Sequence, residues 1–391
     1  HINTSMPRCV LAALCCVSLC MCSIWSANFT SPYPQVDSRF GNQVAVSGAW
    51  AVVQASYATR SDTDDTRTGA AFMYHQNQDG VWEYDCRLPV SDTTATDIGF
   101  TVAIDGDWAG VGVHFNNTYN SAVYLYHLIN GVWTKADTIN SPGPAEIFGQ
   151  SLAMGGGVLV VGFPNYDYDS GEALVYRLSS DRYRREGTLK GKDIGFPTGN
   201  GDNVAVSADG TWVVMGSDSN GQVNVYDYAP SGGRVKWTHT GTLPGVRCYE
   251  ETTLCITADG ATVGVGCHTW SNPVDYAGHV QMYRQDGEGT FSLVQTLDGG
   301  NKYYSTYAYS VDISSDGQRL AVGATMGNSV YVYTLGTDGL YTLADTESAD
   351  YNTALGNSVA FGGVDGDVLL GGVPEVNDYA GLVGVFDLTL L

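Results

Sequence analysis

The chain has 391 residues, a formal net charge of −23, 49 glycines and 25 tyrosines, but only 18 lysines and arginines. A chain so rich in glycine and tyrosine and so poor in the residues that fill exposed helix faces is not an all-α protein. The negative charge also disfavours nucleic acid and anionic membranes as partners, because phosphate groups need cationic side chains to neutralise them.

The first 22 residues predict a targeting segment. A short basic region at residues 6–8 precedes an uncharged apolar run at residues 10–22, which is typical of a secretory signal peptide. An uncleaved signal anchor is the alternative, since apolar residues continue to Trp25. No later segment has the ~18 apolar residues that a membrane-spanning helix needs. We therefore expect a secreted protein or one on the extracellular surface.

Cysteine usage is consistent with export. Four cysteines lie beyond the targeting segment: Cys86, Cys248, Cys255 and Cys267. Three of them fall within twenty residues, so one local disulfide is expected in an oxidising compartment, with its pairing left open. Cys255 is predicted to be a small buried residue, because other repeats carry Ala at its position. Asn28 and Asn116 each begin an Asn-x-Thr pattern and are candidate glycosylation sites.

A segment of alternating small and apolar residues recurs seven times along the chain. Its centres are Ala45, Ala103, Ala153, Ala205, Cys255, Asp312 and Ala360. A tight turn, an apolar run and an aromatic-containing strand follow each centre, and in six units a second aromatic-containing strand follows. This pattern predicts four short antiparallel strands, A to D, in about 50 residues. Seven such units predict an all-β fold, a seven-bladed β-propeller in which each blade buries its faces against its neighbours.

Aromatic residues mark the third strand of every unit. These residues are Tyr74, Tyr126, Tyr176, Tyr226, Tyr283, Tyr333 and Phe386. The predicted repeats lie near 40–90, 98–140, 148–190, 201–244, 250–298, 307–347 and 355–388, within a single domain spanning 23–391. The seventh unit lacks a fourth strand. Residues 23–30 have the aromatic-to-Thr spacing of the other fourth strands, so we predict that they complete the last blade and close the ring.

The repeats resemble a known family. Phe40-Gly41 and Phe148-Gly149 resemble the first half of FG-GAP repeats, and Gly162-Phe163-Pro164 and Gly372-Val373-Pro374 resemble the second half. The resemblance implies the seven-bladed propeller of integrin α subunits, in which an N-terminal strand also closes the last blade. FG-GAP repeats occur in secreted and surface proteins of many kinds, some lectins among them. The resemblance thus specifies the fold far better than the function.

The chain departs from the integrin pattern in its turns between strands A and B. These turns are short and offer too few oxygen atoms for the six- to eightfold coordination of Ca²⁺. Their aspartates, such as Asp209, Asp259 and Asp316, are predicted to form turns instead. No cofactor is expected. The acidic loop around Asp62 is at most a weak calcium site that is unlike the integrin loop, and a solvated acidic loop is the preferred interpretation.

One face of the predicted ring carries nearly all the long loops, which are those joining strands B to C and strand D to the next A. Function usually resides on such loops. Their aromatic rings and carboxylates suit recognition of sugars or peptides. The candidate ligand-binding residues are Tyr166, Asp167, Tyr168, His268, Trp270, Tyr276, Tyr303, Tyr304 and Tyr379. For each of them alone, turn formation is the alternative.

No familiar catalytic motif occurs in the sequence. The histidines are scattered, no nucleophile elbow or phosphate-cradling loop is present, and the many carboxylates support no particular pair. The sequence therefore predicts a monomeric, non-enzymatic propeller that binds an extracellular glycan or protein. A structural coat component without a small ligand is the alternative, and a glycoside-processing enzyme is a less favoured one.

Overall fold

The chain forms a closed ring of antiparallel sheets. The computed structural model describes residues 24–33, 36–61, 64–90, 95–115, 121–143, 147–164, 171–191, 199–217, 221–231, 234–248, 252–269, 277–287, 289–299, 305–350, 352–363 and 366–391. These ranges form seven four-stranded sheets, and the one helix found in them is a 3₁₀ turn at Leu388–Leu390. The predicted seven-bladed, all-β propeller is confirmed.

In each blade, strands A, B, C and D follow one another outward from a central channel. Blade 1 contains β2 (Phe40–Ser47), β3 (Trp50–Ala55), β6 (Ala70–Gln76) and β7 (Trp82–Arg87), with a small hairpin of β4 (Thr59–Ser61) and β5 (Asp64–Arg67) between B and C. Blade 2 contains β8 (Ala95–Asp105), β9 (Trp108–Phe115), β10 (Ser121–Ile129) and β11 (Val132–Asn140). Blade 3 contains β12 (Leu152–Gly155), β13 (Val158–Phe163), β14 (Glu172–Leu178) and β15 (Tyr183–Lys190).

The remaining blades repeat this order. Blade 4 contains β16 (Asn200–Val206), β17 (Trp212–Ser217), β18 (Val223–Ser231) and β19 (Arg234–Thr242). Blade 5 contains β20 (Thr253–Ile256), β21 (Thr262–Cys267), β22 (His279–Gln285) and β23 (Phe291–Asp298). Blade 6 contains β24 (Tyr307–Ile313), β25 (Arg319–Ala324), β26 (Ser329–Leu335) and β27 (Tyr341–Ser348). Blade 7 contains β28 (Val359–Gly362), β29 (Val368–Val373), β30 (Leu382–Asp387) and, as its fourth strand, β1 (Trp25–Phe29).

Strand β1 closes the ring, as the sequence predicts. It pairs antiparallel with β30, with Trp25 opposite Phe386 and the two ring centroids 5.2 Å apart. The backbone N–H of Ile24 donates to Glu347 Oε1 at 2.6 Å, which ties the start of this strand to blade 6. The last blade thus gains a fourth strand that covers its otherwise unpaired edge.

The hydrophobic core is divided among the interfaces between blades. Each pair of neighbouring blades encloses its own cluster of buried side chains, such as Met73 with Val111 between blades 1 and 2, and Val280 with Leu320 between blades 5 and 6. Because apolar side chains emerge from both faces of the inner strands, a blade can bury them only by having a neighbour on each side.

Glycines allow neighbouring backbones to approach closely at these interfaces. Gly41 has a φ of 88°, and a Cβ there would collide with the carbonyl oxygen of Leu382 in the preceding blade. A Cβ on Gly372 would in turn collide with the carbonyl oxygen of Gly41. Gly162 and Gly201 meet in the same way between blades 3 and 4. The two halves of the FG-GAP-like pattern therefore meet across a blade interface.

The periodic tyrosines of strand C hold the connections between blades. The hydroxyl of Tyr74 donates to the carbonyl of Thr30 at 2.9 Å, that of Tyr126 to Pro89 at 3.0 Å, and that of Tyr226 to Lys190 at 2.6 Å. In each case the acceptor lies just before the blade that carries the tyrosine. A buried hydroxyl with a fixed acceptor explains why tyrosine recurs where phenylalanine would fill the same space.

The aspartates of the A–B turns form turns, as predicted. Asp209 Oδ1 accepts hydrogen bonds from the Ser207 hydroxyl at 2.6 Å and from the Thr211 N–H at 2.9 Å. Asp259 and Asp316 make the equivalent bonds in blades 5 and 6. Hydrogen bonds to the charged carboxylate lower the pKa of both Asp259 and Asp316.

The disulfide joins Cys248 to Cys267, and thus the connection after blade 4 to the end of β21. This settles a pairing that the sequence leaves open. Cys255 is a free, buried thiol, as predicted, and Cys86 is free and half-buried. Burial raises the pKa of the Cys86 thiol to about 12, so it is protonated at neutral pH.

Asp312 is the one carboxylate among the seven repeat centres, and it lies within the channel lining. Its two oxygens accept the backbone N–H of Phe361 in blade 7 at 2.7 Å and that of Ile313 at 2.9 Å. Burial nevertheless raises the pKa of Asp312 to about 7, because desolvation of the charged form outweighs the two hydrogen bonds.

This pKa makes the stability of the ring dependent on pH. The folded state holds the Asp312 proton more tightly than the unfolded chain does, so the free energy of unfolding falls as the pH rises from about 4 to about 7. We expect thermal melting to show that the free energy of unfolding falls between pH 5 and pH 8. The fall for the wild type should exceed that for Asp312→Ala by on the order of 2 kcal/mol. Equal pH dependence of the two proteins would contradict this assignment.

Candidate functional site

The A strands of all seven blades surround a cavity of about 560 Å³ in the central channel. Because consecutive strands alternate in direction, the starts of all A strands lie on the face that carries the B–C and D–A connections. We call this the loop face. The channel lining is polar there and becomes apolar deeper in the ring, at residues such as Ala45 and Ala153.

Corresponding positions of the repeats supply the polar mouth of the channel. Asn42, Gln150, Asp202, Tyr309 and Asn357 each lie immediately after the residue that turns the chain into its A strand. In five blades that turn is closed by a backbone hydrogen bond, such as Asp202 N–H to Gly199 O at 3.2 Å. The turn geometry therefore fixes where these side chains enter the channel.

Among the sequence-predicted ligand residues, His268 lies at this mouth. It follows the disulfide-bonded Cys267, and its ring centroid is 5.1 Å from that of Tyr309. The candidates outside the described residues are Tyr166, Asp167, Tyr168, Trp270, Tyr276, Tyr303 and Tyr304. Asn116, Asp62 and the targeting segment also lie outside them, whereas Asn28 is an exposed residue of β1.

Tyr379 is described, but it lies at the seam between blades 7 and 1 and does not line the channel cavity. It ends a left-handed turn in which Asn377, Asp378 and Tyr379 have φ values of 55°, 57° and 62°. Each non-glycine residue in this conformation costs roughly 1–2 kcal/mol. Hydrogen bonds from the Asp37 and Arg39 N–H groups to the turn's carbonyls hold it in place. The side chain of Tyr379 is 41% exposed.

A second cavity, of about 330 Å³, opens on the loop face between blades 1 and 2. We call it the interblade pocket. Its lining residues are Asn42, Gln54, Ser56, Tyr57, Arg67, Thr96, Asp97 and Phe100. Asn42 also lines the channel mouth, so the two cavities adjoin. The interblade pocket contains both a carboxylate and a guanidinium, the ionisable groups that make a cavity a candidate reaction site.

Strand β8 places Asp97 at this pocket. The strand starts earlier than other A strands and carries two irregularities in its pairing with β9, on either side of Asp97 and Ile98. Such bulges redirect side chains and are common beside active sites. The Ile98 N–H donates to the carbonyl of Thr68 at 2.6 Å, which sets the backbone of Arg67 beside that of Asp97.

Burial shifts the pKa of two side chains at this pocket. It raises the pKa of Asp97 above that of an ordinary aspartate and lowers the pKa of His114. His114 Nδ1 lies 3.9 Å from Asp97 Oδ2, and its ring stacks on Phe100 with centroids 3.9 Å apart. At neutral pH the imidazole is neutral, so Asp97 has no cationic partner in His114. Its carboxylate is therefore more basic than a salt-bridged one.

Arg67 carries the positive charge of the pocket. Its Nη1 lies 3.3 Å from Asp37 Oδ2, and both side chains are about half exposed. An exposed ion pair of this kind contributes no more than about 1 kcal/mol, so it opposes binding of a second acceptor only weakly. No group of three or more His, Cys, Asp or Glu side chains suited to a metal ion occurs in the described ranges.

No protein-family model and no curated protein matches the chain. Solved structures show its fold. A candidate 6-phosphogluconolactonase from Bacteroides uniformis is 13% identical, with a TM-score of 0.56, over 80% of this chain and 86% of that one. The periplasmic gluconolactonase of Pseudomonas aeruginosa is 14% identical, with a TM-score of 0.53, over 80% and 86%. The Cps50 (Swd1) β-propeller domain of Myceliophteria thermophila is 10% identical, with a TM-score of 0.57, over 92% and 99%.

These similarities correct the prediction of a non-enzymatic binding propeller. Proteins that share the ring architecture of this chain include ones named as lactonases, so the absence of familiar linear motifs does not argue against enzymatic activity. The interblade pocket shows why linear motifs can be absent from a cavity that contains ionisable groups. Arg67 and Asp97 come from different blades, and no local sequence pattern joins them.

Sequence reasoning missed the interblade pocket for a related reason. It weighted the Tyr- and Asp-rich stretches of the loops, whereas Asp97 and Arg67 lie where strands begin and end. The one signal in the repeat spacing is that the first two centres, Ala45 and Ala103, are 58 residues apart, the widest gap between successive centres. Among the residues that the structure describes, no helix has the length and hydropathy needed to cross a bilayer.

The two altered pKa values can be tested in solution. NMR titration should place the His114 imidazole midpoint below 6.5 and the Asp97 carboxyl midpoint above 3.8, because burial disfavours the charged form of each. A midpoint for His114 above 6.5 would instead indicate a stabilising ion pair with Asp97.

Proposed function

We propose that the chain is a lactonase-type enzyme that hydrolyses the ring ester of a sugar-acid lactone in the interblade pocket. The observation that carries the proposal is the placement of Asp97 and Arg67 at one small polar cavity on the loop face. The names of the structurally similar lactonases point to the same reaction class, although likeness at this level of identity establishes only the fold.

Asp97 is the general base of the proposed reaction. Its partial burial raises its pKa above that of an ordinary aspartate, which strengthens the carboxylate as a proton acceptor. It takes a proton from a water molecule as that water attacks the lactone carbonyl carbon. The new C–O bond turns the carbonyl oxygen into an oxyanion.

The Arg67 guanidinium and the Asn42 side-chain amide are the donors available to that oxyanion. When the intermediate collapses, the ring C–O bond breaks and the leaving alkoxide takes the proton from Asp97. The product is the open hydroxy acid, and the carboxylate is regenerated. Water and lactone supply all the atoms of the product, so no further reactant is needed.

The remaining lining fits a sugar ring. Phe100 and Tyr57 offer aromatic faces, while Gln54, Ser56 and Thr96 offer hydrogen-bonding groups for ring hydroxyls. The cavity volume of about 330 Å³ is at the lower end of the range for small-molecule sites, which suits one monosaccharide lactone.

The activity can be measured as proton release from gluconolactone, corrected for spontaneous hydrolysis. We expect Asp97→Asn to lower kcat/KM by about 10²–10⁴-fold, because the amide cannot accept a proton. For the wild type, kcat/KM should fall as the pH drops through the raised pKa of Asp97, since protonation removes the base.

Asp107→Asn is the matched control. Asp107 is an exposed aspartate of an A–B turn on the opposite face of the ring, so its variant should retain full activity. Equal melting temperatures would show that both variants fold. A wild type that hydrolyses neutral, carboxylated and phosphorylated sugar lactones no faster than buffer would refute the proposed function.

We also propose that the chain is an exported glycoprotein related to FG-GAP propellers. The Cys248–Cys267 disulfide supports export, since such bonds persist in oxidising compartments. The contact between Gly41 and Gly372 supports the relation to FG-GAP propellers, because residues from both halves of the repeat pattern meet in it across a blade interface.

Expression in a secreting eukaryotic host tests this second proposal. Mass spectrometry should find the protein in the medium, with a glycan on Asn28, whose side chain is exposed on β1. Replacing Thr30 by Val should abolish that glycan without changing secretion of the folded ring. Retention inside the cell, or an unmodified Asn28 in secreted protein, would contradict it.

A further inference from the structure

The segment before β2 forms a strap across the seam where the ring closes. This seam strap, residues 36–40, runs along the segment that immediately precedes β30 in blade 7. Its Asp37, Arg39 and Phe40 N–H groups donate to the carbonyls of Asp378, Tyr379 and Ala380 at 3.0, 2.7 and 3.1 Å. The Tyr57 N–H donates to the carbonyl of Ser38 at 3.1 Å, so the strap also contacts blade 1.

The strap holds the Arg39 guanidinium between two tyrosines. Arg39 Cζ lies 5.3 Å from the centroid of the Tyr57 ring and 5.6 Å from that of the Tyr379 ring. These tyrosines are 47% and 41% exposed, so the cluster is open to solvent. Cation–π contacts of this kind fix the position of a guanidinium without using its hydrogen-bond donors.

The donors of Arg39 have no acceptor among the residues that the structure describes. A guanidinium presents a planar fork that matches the two oxygens of a carboxylate. Tyr57 also lines the interblade pocket, so one of the two rings that hold the Arg39 guanidinium is shared with that pocket. An arginine that is positioned but lacks an acceptor is a binding group for an anion brought by a ligand.

We propose that Arg39, with Tyr57 and Tyr379, binds a carboxylate of the substrate, so that the preferred lactone is that of a sugar diacid. This inference rests on the proposed function for its reaction but not for its binding site. A carboxylate fits better than a phosphate. The charges of Arg39 and Arg67 are offset by those of Asp37 and Asp97, and the chain as a whole carries −23, so a singly charged carboxylate is repelled less than a doubly charged phosphate.

Three lactones separate the alternatives: neutral gluconolactone, carboxylated glucarolactone and 6-phosphogluconolactone. We expect the wild type to have a kcat/KM at least tenfold higher for glucarolactone than for either of the others. Arg39→Gln should remove that preference by raising KM for glucarolactone at least tenfold, with the values for gluconolactone unchanged. Arg39→Lys keeps the charge but loses the planar fork, and it should restore no more than part of the preference.

Binding of the open diacid gives a readout that does not need catalysis. Calorimetry should show that the wild type binds glucarate at least tenfold more tightly than the neutral polyol glucitol, and that Arg39→Gln removes this difference. Arg184→Gln is the matched control, because Arg184 is an exposed arginine on the outer strand of blade 3. Melting temperatures of all variants check that the seam stays closed.

The outcomes distinguish this inference from the proposed function. Glucarate binding that depends on Arg39, without hydrolysis of any lactone, would support the carboxylate site and refute the lactonase. Hydrolysis of gluconolactone with no preference for glucarolactone, or with equal preference in Arg39→Gln, would refute the carboxylate site alone. A preference for 6-phosphogluconolactone would also refute it.

Discussion

Glycines allow the backbones of neighbouring blades to come into direct contact. The Gly41 carbonyl fills the space where Gly372 would carry a Cβ, and Gly201 and Gly162 repeat the contact three interfaces away along the ring. In blade 3 the Ser151 hydroxyl donates to the same Gly201 carbonyl at 2.9 Å, so the contact is polar as well as close. The angle between successive sheets depends on this approach, and with it the width of the channel and the position of every loop.

The same constraint determines where a site can form. Each interface is filled by its own apolar cluster, and the two cavities described above lie at the end of one interface and in the channel. The interblade pocket occupies such an end. Its walls come from β8, whose bulges carry Asp97 away from the regular pairing, and from the chain that leads from Arg67 into β6. The nearby seam strap adds Arg39 and its two tyrosines.

The sequence predicted the fold to the level of single strands, because a repeat shows its period directly. The ring closure by β1, the turn-forming role of Asp209 and the burial of Cys255 were all readable from repeat positions. The disulfide partner of Cys248 was not, since pairing depends on distances between neighbouring connections. The candidate site was not predictable either. Arg67 and Asp97 acquire their relation through one backbone hydrogen bond between blades, from Ile98 to Thr68, which no spacing in the sequence encodes.

The closure of the ring also orders events during synthesis. Ser26 and Val385 are hydrogen-bonded partners in the same blade, yet they are 359 residues apart. At ~5–20 residues per second, the ribosome needs roughly 20–70 s to make the residues between them. Strand β1 must therefore wait, unpaired, until β30 has been made. During that interval blade 1 also lacks the neighbour that covers Phe40, so an unpaired strand and an uncovered blade face stay exposed until blade 7 has been made.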